Sequence, residues 1–493
     1  MSKHQKTRGS WKKHGEKRDG LFSMEVLRFS GRRTSGLQRA TLKHLICRIA
    51  TACILATGIV AAQEPAHTEP TLSLDDAIHL AIANNPSLKI ASLDVEKARW
   101  QLAETKTQRL PAFSTSVLAG QLLTEVTSTF PEGAFGTFPG IGPIPSNDTK
   151  ITTPRRPTVY VVGEATQPLS QLFKIHLGVR AQELNSQLSS EKSRAERQTL
   201  IRDVKQAYYA VLQSESAMEA AEASVKQYRE LDRVVLQRVS QEAAFKSDSL
   251  QVKAKFANEQ YKLVQLRNTL NTRKEYLNSL LGRDIRTEFR TQQVPDASFE
   301  EVDLKVAQQR ALTSRPEIKQ AQISVRQADY ARRIAKADYI PDVAIAFNYF
   351  SPFNIEVVPK NVASLGLEFK WEPWDWGRRK DVISQKAVAE KQAQEQLRDA
   401  QSKVLMDVNS RFRKLEESRM LISVAASSRE AAQQKLREVT AQYGQQAVLL
   451  SDVLQQQAAA AGASDDYEQA LLGFWTAKSE FEKSLGEDND NYQ

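Results

Sequence analysis

The chain carries one structural unit twice. Residues 74–117 of the 493-residue sequence recur, in register, at 304–347. The shift is 230 positions, and it places Pro316 on Pro86 together with the apolar residues that follow each proline. Two long copies of one unit, of about 200 residues each, predict an extended architecture with internal pseudo-symmetry.

The repeat extends along the rest of the chain. QPL at 167–169 recurs as EPW at 372–374, and SDSL at 247–250 recurs as SDVL at 451–454. These shifts are 205 and 204 positions, so the two units differ mainly by a longer loop in the first. The sequence predicts, in order, a leader, a linker, a first repeat, a second linker, a second repeat and a disordered acidic tail, at 1–62, 63–70, 71–290, 291–300, 301–485 and 486–493.

The positive charge of the chain is concentrated in its first 62 residues. They hold 13 Lys and Arg against 3 Asp and Glu, whereas the remaining residues hold 55 and 56. The high isoelectric point of 9.3 therefore belongs to the leader. The remaining chain is nearly neutral, so charge gives no argument for a nucleic-acid partner.

The leader is predicted to be a secretory signal peptide. A basic stretch precedes an apolar run at 49–62, and small residues at the end of the run predict cleavage between Ala62 and Gln63. A single membrane anchor is the alternative, although the run is short for a bilayer. The leader is also unusually long, so that Met24 is an alternative start to Met1.

Both cysteines of the chain, Cys47 and Cys53, lie in the leader. The mature chain would then have no thiol, which excludes disulfides and cysteine chemistry. Lipidation at Cys53 is an alternative to simple cleavage, but the residues before it make a poor lipobox. Cleavage near Ala62 is favoured.

Each repeat is predicted to contain a β-hairpin, at 112–168 and 342–372. In the second hairpin, apolar and polar residues alternate strictly over Asp342–Phe350 and again over Ala363–Trp371. This period of two predicts strands with one apolar and one polar face. Their length, and the tryptophans after the second strand, favour a membrane barrel over a soluble hairpin resting on helices. In the first hairpin, 120–157 has the Gly- and Pro-rich composition of a loop.

Each β-hairpin is followed by a long helical hairpin, predicted at 174–281 and 378–485. The first helix of such a hairpin, if continuous over about 65 residues, would be roughly 100 Å long. Helices of this length need partners along their apolar stripes, within the chain or between chains. The predicted turns lie at 240–249 and 444–451, and Gly282 is predicted to cap the end of the first return helix.

The sequence gives little sign of catalytic chemistry. After the leader, His67, His79 and His176 are scattered without metal-ligand spacing. Phosphate-binding loops and nucleophile elbows are not recognisable, and carboxylates alternate with Lys and Arg as on solvated helix faces. We therefore predict that the protein is not an enzyme and needs neither a cofactor nor a metal.

The repeated turns carry a Ser-Asp pair, Ser247-Asp248 in the first and Ser451-Asp452 in the second. Serine and aspartate at the start of a helix accept hydrogen bonds from free backbone N–H groups. The alternative is functional and requires oligomerisation: one carboxylate from each subunit would ring a narrow opening and favour cations.

The pattern resembles the outer-membrane efflux protein family, the TolC-type channels, over about 71–485. The resemblance rests on the duplicated motif (LSLDDAIHLAIANNPSL and VDLKVAQQRALTSRPEI), on QPLSQLFK and EPWDWGRR, and on the SDVL tip. It implies an α+β membrane protein and a homotrimer. Long α-helical hairpins would form a trimeric α-barrel in the periplasm, continuous with a transmembrane β-barrel of four strands per protomer.

The resemblance also implies a function and partners. The protein would be a passive outer-membrane exit duct, working with a periplasmic adaptor and an inner-membrane transporter of the RND or ABC type. Its exit channel could serve drug efflux or type I protein secretion, and the sequence does not separate the two. An exported coiled-coil scaffold is the alternative from another class of protein.

The family's closed entrance implies roles for residues at the tips, which are the turns at the ends of the two long helical hairpins. Asp248 corresponds to an aspartate of the first hairpin that contacts a tyrosine, which corresponds to Tyr443. The arginine that completes this contact corresponds to Val448, so the ion pair is lost here. Asp452 corresponds to an inner acidic residue, and the next such position is Gln455.

The same resemblance implies that the adaptor docks at the tips, around 240–250 and 444–452. Ser247, Gly444 and Ser451 are the candidate docking residues.

Overall fold

The structure, a computed structural model, describes residues 70–242, 244–293, 303–355, 358–445 and 447–486. The predicted leader with its cleavage site at Ala62–Gln63, nearly all of the linker that follows it, most of the 291–300 linker and the acidic tail after Gly486 lie outside the described residues.

Within the described residues, the two repeats contain the same helices and long strands in the same order, and the first repeat contains additional short strands. In chain order they are β1 (Thr71–Leu72), α1 (Leu74–Asn84), α2 (Pro86–Thr107), β2 (Ala112–Gln121), β3 (Val126–Phe130), β4 (Thr137–Phe138), β5 (Gly142–Pro143), β6 (Thr149–Thr153), β7 (Pro157–Pro168), α3 (Gln171–Ser240), α4 (Lys246–Leu280), β8 (Arg290–Thr291), α5 (Leu304–Ser314), α6 (Pro316–Ala337), β9 (Asp342–Phe353), β10 (Val362–Lys370), α7 (Arg378–Gly444) and α8 (Leu450–Leu485).

The helices that open each repeat have matching lengths. α1 and α5 have 11 residues each, and α2 and α6 have 22 each. In both copies a proline at the first position starts the second helix, where its missing N–H costs nothing. The side chain of Asn85 accepts hydrogen bonds from the N–H groups of Ser87 and Leu88 at 2.8 and 3.2 Å, which caps α2.

Four long strands form one antiparallel sheet in the order β10-β9-β7-β2. The strands predicted in the second repeat over Asp342–Phe350 and Ala363–Trp371 are confirmed to within three residues. The prediction of a loop over 120–157 was incomplete, because this segment contains two small antiparallel pairs, β3–β6 and β4–β5. Frequent Gly and Pro interrupt the alternation of apolar and polar residues here, so the sequence gives no period of two that would predict these short strands.

Two pairs of antiparallel helices extend from the sheet. α3 and α7 are continuous over 70 and 67 residues, which corresponds to about 100 Å each. The return helices α4 and α8 have 35 and 36 residues. The first return helix begins at Lys246 rather than at Leu250, because the predicted turn residues Ser247 and Asp248 already belong to its first helical turn.

Buried apolar residues form three clusters along the helices. The first two lie where α1 and α5 pack against the long helices, and they occupy equivalent places in the two repeats. The third, here named the tip cluster, joins the far ends of α3, α4 and α8 and consists of Tyr228, Val235, Val252, Leu450 and Leu454.

Tyr208 ties the first repeat to the strands that flank it. Its hydroxyl lies 2.8 Å from the carbonyl oxygen of Leu72 and 2.7 Å from that of Gln292, next to the parallel pair β1–β8. Burial raises the pKa of Tyr208 to about 12, so the hydroxyl remains a donor. In the second repeat Phe412 occupies this position and packs on Phe481 instead.

None of the helices in the described part of the chain combines the length and the apolar character that a bilayer crossing needs.

Candidate functional site

The four-stranded sheet has one apolar and one polar face. Residues that pair directly across strands lie on the same face, so the register assigns each side chain to a face. One row across the sheet is apolar and consists of Leu365, Phe347, Ala165 and Phe113. The adjacent row is polar and consists of Ser364, Asn348, Glu164 and Ser114.

The apolar face is open to its surroundings in the single chain. Large apolar side chains on the two outer strands are mostly exposed; they are Phe113, Val117, Leu365, Leu367 and Phe369. A row of exposed apolar side chains on strands of nine to twelve residues is typical of a sheet in contact with lipid.

The polar face borders open space. Where the strands meet the helices, a cavity of about 710 Å³ is lined by polar-face residues that include Asp342, Glu368 and Lys370. The sheet therefore separates an apolar side from a side where charged groups remain hydrated.

The two outer strands leave hydrogen-bonding groups without a strand partner. Within the described residues, β2 and β10 each pair with a neighbouring strand on one side only. An exposed sheet edge in a bilayer is costly, because lipid offers no hydrogen bonds to backbone groups. A sheet of this kind needs a second sheet to complete it.

The two turns at the far ends of the helical hairpins share one local geometry. The carboxylate of Asp248 accepts a hydrogen bond from the N–H of Phe245 at 3.2 Å, and that of Asp452 accepts one from Leu449 at 3.1 Å. Each aspartate lies three residues into its helix and satisfies a free donor at the helix start. The capping role considered from the sequence is confirmed for both aspartates; the serines before them are exposed.

Tyr443 packs against the tip cluster at the end of α7. The guanidinium group of Arg238 lies over its ring, 4.8 Å from the ring centroid. This contact joins the ends of α3 and α7. Sequence analysis missed Arg238, because no local spacing signals a contact between residues so far apart in the chain.

The remaining candidate residues lie around the second tip. Val448 is half-buried, whereas Gln455, Gly444 and Ser451 are exposed. In the described single chain, Asp248 bonds within its own turn and Tyr443 contacts Arg238. The candidate residues of both turns thus lie at the same end of the molecule. A common opening lined by them would need further copies of the chain.

Exposed apolar side chains mark both tips. Phe245 and Leu449 immediately precede α4 and α8, and their exposed fractions are 79% and 71%. They are 204 positions apart, which is the shift between the repeats. The two hairpins thus present matching apolar contacts at one end.

The fold and the two-faced sheet are those of an outer-membrane channel. The sequence profile of the outer membrane efflux protein family matches residues 77–283 and 307–487. The chain therefore belongs to this family, as the resemblance predicted. It is a protein of the outer membrane with a periplasmic helical part, and the family is one of channels rather than enzymes.

Individual relatives are distant. The alkaline protease secretion protein AprF of Pseudomonas aeruginosa is 23% identical over 282 residues, which cover 56% of this chain and 54% of AprF. The match thus spans about half the length of that relative.

Solved structures show the same fold. The CusC channel aligns with a TM-score of 0.70 at 17% identity, covering 84% of this chain and 92% of CusC. CmeC of Campylobacter jejuni aligns with a TM-score of 0.70 at 14% identity, covering 84% and 85%. VceC of Vibrio cholerae aligns with a TM-score of 0.67 at 15% identity, covering 84% and 96%. The predicted α+β fold class is confirmed.

Proposed function

We propose that the protein is a homotrimeric exit duct of the outer membrane. Three chains would form one β-barrel of twelve strands, continued by an α-helical barrel in the periplasm. The duct would passively conduct substrates that a periplasmic adaptor and an inner-membrane transporter deliver. The observation that carries this proposal is the sheet itself, which has a lipid-type face, a hydrated face and two open edges.

The open edges support closure by further copies. β10 of one chain would pair with β2 of the next, continuing the antiparallel order of the sheet. Such head-to-tail contacts generate rings when the rotation closes. Closure removes every edge, and it directs the polar faces of all sheets into one lumen.

The helices carry independent support, because equivalent helices of the two repeats differ in burial. α6 lies between two long helices: Gln320 donates a hydrogen bond to the carbonyl oxygen of Glu191 on α3, at 3.2 Å, and Arg332 pairs with Glu390 on α7, at 3.0 Å. Within the described residues, its counterpart α2 packs mainly on α3. Consequently Ile323 on α6 is 8% exposed, whereas its counterpart Leu93 on α2 is 53% exposed.

The long helices show the complementary difference. Leu184 on α3 is 7% exposed, whereas Val388, its counterpart on α7, is 54% exposed. The ion pair between Glu191 and Arg194 on α3 is largely covered, and the equivalent pair on α7 is exposed. Within the described chain, the face of α7 that contains Val388 and Glu395 thus lacks a neighbouring helix of the kind that α6 provides for the equivalent face of α3.

Both differences disappear if α2 of one chain packs on α7 of the next. The contact between α6 and α3 within the chain would then be repeated between chains, with Ile90 in the place of Gln320 and Glu395 in the place of Glu191. The apolar side chains exposed on α2 and α7 would be buried together, which stabilises the ring.

Disulfide cross-linking tests this arrangement. We expect that a chain with Ile90→Cys and Glu395→Cys, treated with a mild oxidant in outer membranes, forms covalent species of up to three chains. The mature sequence has no cysteine of its own, so the background is low. The species are counted on a non-reducing gel after denaturation.

The matched control for the cross-link is Ser92→Cys with Glu395→Cys. Ser92 lies on α2 at the position equivalent to Gln322, which is exposed on α6, so this pair is expected to stay uncoupled. Equal coupling of both pairs, or none for Ile90→Cys, would contradict the packing of α2 on a neighbouring α7.

Type I protein secretion is a second candidate for the task of this duct. The name of AprF states that this relative serves the secretion of alkaline protease. Deletion of the gene distinguishes the two tasks. Loss of a protein from the culture medium supports secretion, whereas increased sensitivity to small toxic compounds supports drug efflux.

The tips are the proposed entrance and docking site for the adaptor. Phe245 and Leu449 would contact the adaptor through their exposed side chains, with Ser247, Ser451 and Gly444 around them. Exposed apolar residues surrounded by small polar ones are common at protein interfaces.

The gate is proposed to lie at the same level as the docking site. Asp248, Tyr443 and Asp452 would line it, with Gln455 one turn further in. Because Val448 stands where the family carries arginine, we propose that this entrance opens more easily than in relatives that keep the ion pair.

We expect Asp452→Asn to reduce the preference of the channel for cations. A ring of three carboxylates attracts cations, and the substitution removes these charges. The amide oxygen of asparagine still accepts the N–H of Leu449, so the helix start is expected to remain capped. Reversal potentials across a planar bilayer measure the preference. Asp452→Glu keeps the charge and serves as the control; an unchanged potential in Asp452→Asn would rule out the carboxylate ring.

A further inference from the structure

The polar face of the sheet becomes apolar towards the strand ends that are remote from the helices. The polar row that contains Glu164 lies near the middle of the strands, and the next two rows beyond it are largely apolar. Because side chains two positions apart on a strand share a face, these rows belong to the same face as Glu164. Their apolar side chains are here named the inner apolar belt, which consists of Leu118, Tyr160, Val162, Phe350 and Val362.

The inner apolar belt is only partly covered in the single chain. Leu118 and Val362 are 67% and 41% exposed, and the other three side chains are half-buried. The rings of Tyr160 and Phe350 lie side by side, with their centroids 6.1 Å apart and their planes tilted by 30°. Apolar groups that face an aqueous space are unfavourable, and a contiguous patch of them commonly marks a binding site.

Glu164 lies one row from the inner apolar belt and is exposed. Its direct partners across the strands are Ser114 and Asn348, which are uncharged. Among the four described strands of the sheet, Lys370 is the only basic residue on this face. It lies three rows away, about 20 Å along the strands, and directly opposite Asp342. The carboxylate of Glu164 therefore has no basic neighbour on the face that carries it.

Phe350 lies between the aromatic and the acidic parts of this surface. Its direct partner on β7 is Val162, so Tyr160 and Glu164 are its two diagonal neighbours. Diagonal neighbours in an antiparallel sheet are about 7 to 8 Å apart, within reach of aromatic and long side chains. Ring faces and a carboxylate both attract positive charge, and the rings also accept apolar groups. The combination therefore suits an organic cation with apolar substituents.

The position of the inner apolar belt is at the outer end of the sheet. The periplasmic helices α3 and α7 follow β7 and β10, so the opposite strand ends, at Pro157 and Val362, point away from the periplasm. The charged residues Asp342, Glu368 and Lys370 lie at the end next to the helices. Cargo that moves outwards along the polar face would thus pass the charged level first and the belt last.

We propose that the inner apolar belt and Glu164 form a binding subsite for lipophilic organic cations at the outer end of the duct. Apolar or aromatic groups of the cation contact Tyr160, Phe350 and Leu118, and its positive charge faces Glu164. The proposal rests on the proposed function, because the barrel directs the polar face into the lumen, and it names a class of cargo for that function. Each chain contributes one subsite, so a trimer has three.

Binding of ethidium, an aromatic cation, tests the subsite. The trimer is placed in phosphatidylcholine nanodiscs, and fluorescence anisotropy measures binding, with empty nanodiscs as the blank. We expect saturable binding to the native protein. Glu164→Gln should weaken it about fivefold, because the nearby negative charge is lost. Tyr160→Leu combined with Phe350→Leu should weaken it by about the same factor, because the ring faces are lost while the apolar character is kept.

Glu368→Gln is the matched control, because it removes a carboxylate from the same face two rows from Glu164, on the side away from the belt. It should leave ethidium binding unchanged. Anilinonaphthalene sulfonate, an aromatic anion, should bind the native protein more weakly than ethidium and should bind Glu164→Gln more tightly than the native protein. Equal ethidium affinity of the native protein and Glu164→Gln, or an equal loss in Glu368→Gln, would overturn the subsite.

Conductance across planar bilayers separates the subsite from the duct. The native protein and each variant are inserted into bilayers, and binding is compared only between preparations that conduct ions. Native channels that conduct but do not bind ethidium would overturn the subsite and leave the proposed duct intact. A native protein that forms neither trimers nor conducting channels would overturn both proposals, because the polar face would then line no lumen.

Discussion

Replacing Gly282 with alanine is expected to lower the free energy of unfolding by about 3 kcal/mol. A Cβ atom at this position would lie 2.4 Å from the carbonyl oxygen of Asn84 and 2.7 Å from its carbonyl carbon. Both are backbone atoms at the end of α1, so no side chain can move aside. The φ angle of +66° adds strain for any residue with a Cβ atom.

The expected result is a decrease of the apparent Tm by about 5 to 10 °C, measured in detergent by the loss of helical circular dichroism. Gly462→Ala is the matched control. Gly462 lies within α8, and a methyl group added there would meet no atom within 4 Å, so alanine should stabilise the helix by about 0.5 to 1 kcal/mol. A loss at Gly282 no larger than the change at Gly462 would mean that α1 shifts freely away from α4.

The second repeat contains an equivalent close contact between a glycine and the backbone. A Cβ atom at Gly486 would lie 2.7 Å from the Cα atom of Arg315, and the φ angle is +72°. Both glycines end a return helix and contact the backbone between the two short helices of their own repeat. The duplication thus preserves a close approach of backbones, and not only a pattern of apolar residues.

The sequence predicted this part of the fold only in part. A glycine after a long helix predicts a C-cap, and Gly282 and Gly486 have the left-handed conformation of that cap. The contact with Asn84 is tertiary, and nothing near Gly282 in the sequence signals it. Strands were predictable where alternation is strict, as in β9 and β10, and not where glycine and proline interrupt it, as in β3 to β6.

In the candidate site, too, the sequence predicted local contacts and did not predict contacts between distant elements. The repeated Ser-Asp pairs identified Asp248 and Asp452 as candidate residues from the sequence. Their capping contacts follow from their local spacing at the start of each helix. The contact of Arg238 with Tyr443, and the unequal burial of α2 and α6, depend on how distant helices pack. Sequence repeats predict equivalent elements, but they do not predict which copy is covered within the chain.

Arg315 shows how equivalent positions acquired different chemistry. In the first repeat this position is Asn85, whose side chain caps α2. In the second repeat the guanidinium group of Arg315 lies 3.1 Å from Glu317 and 2.8 Å from Asp407 on α7. The Arg315 side chain is only 10% exposed, so its charge depends on these two carboxylates.

We expect Arg315→Leu to lower the free energy of unfolding by about 2 to 3 kcal/mol at neutral pH, since it removes Arg315 from two partly covered carboxylates, of which Asp407 keeps its ion pair with Arg411. The apparent Tm in detergent measures the loss. Arg233→Leu is the control. Arg233 pairs with Glu230 on a solvated face of α3, where breaking the pair should change stability by less than about 0.5 kcal/mol.

The stabilisation that Arg315 provides should decrease as the pH falls. Burial raises the pKa values of Glu317 and Asp407. The hydrogen bonds and charge of Arg315, joined at Asp407 by those of Arg411, outweigh burial and hold both pKa values below their ordinary range. The stabilisation is therefore complete above about pH 4 to 5, where the unfolded carboxyls are ionised, and is lost as pH falls through the lowered pKa values. The difference between native protein and Arg315→Leu should shrink along this range. A difference that stayed constant down to pH 3 would mean that Arg315 stabilises the repeat through packing of its side chain, and not through its charge.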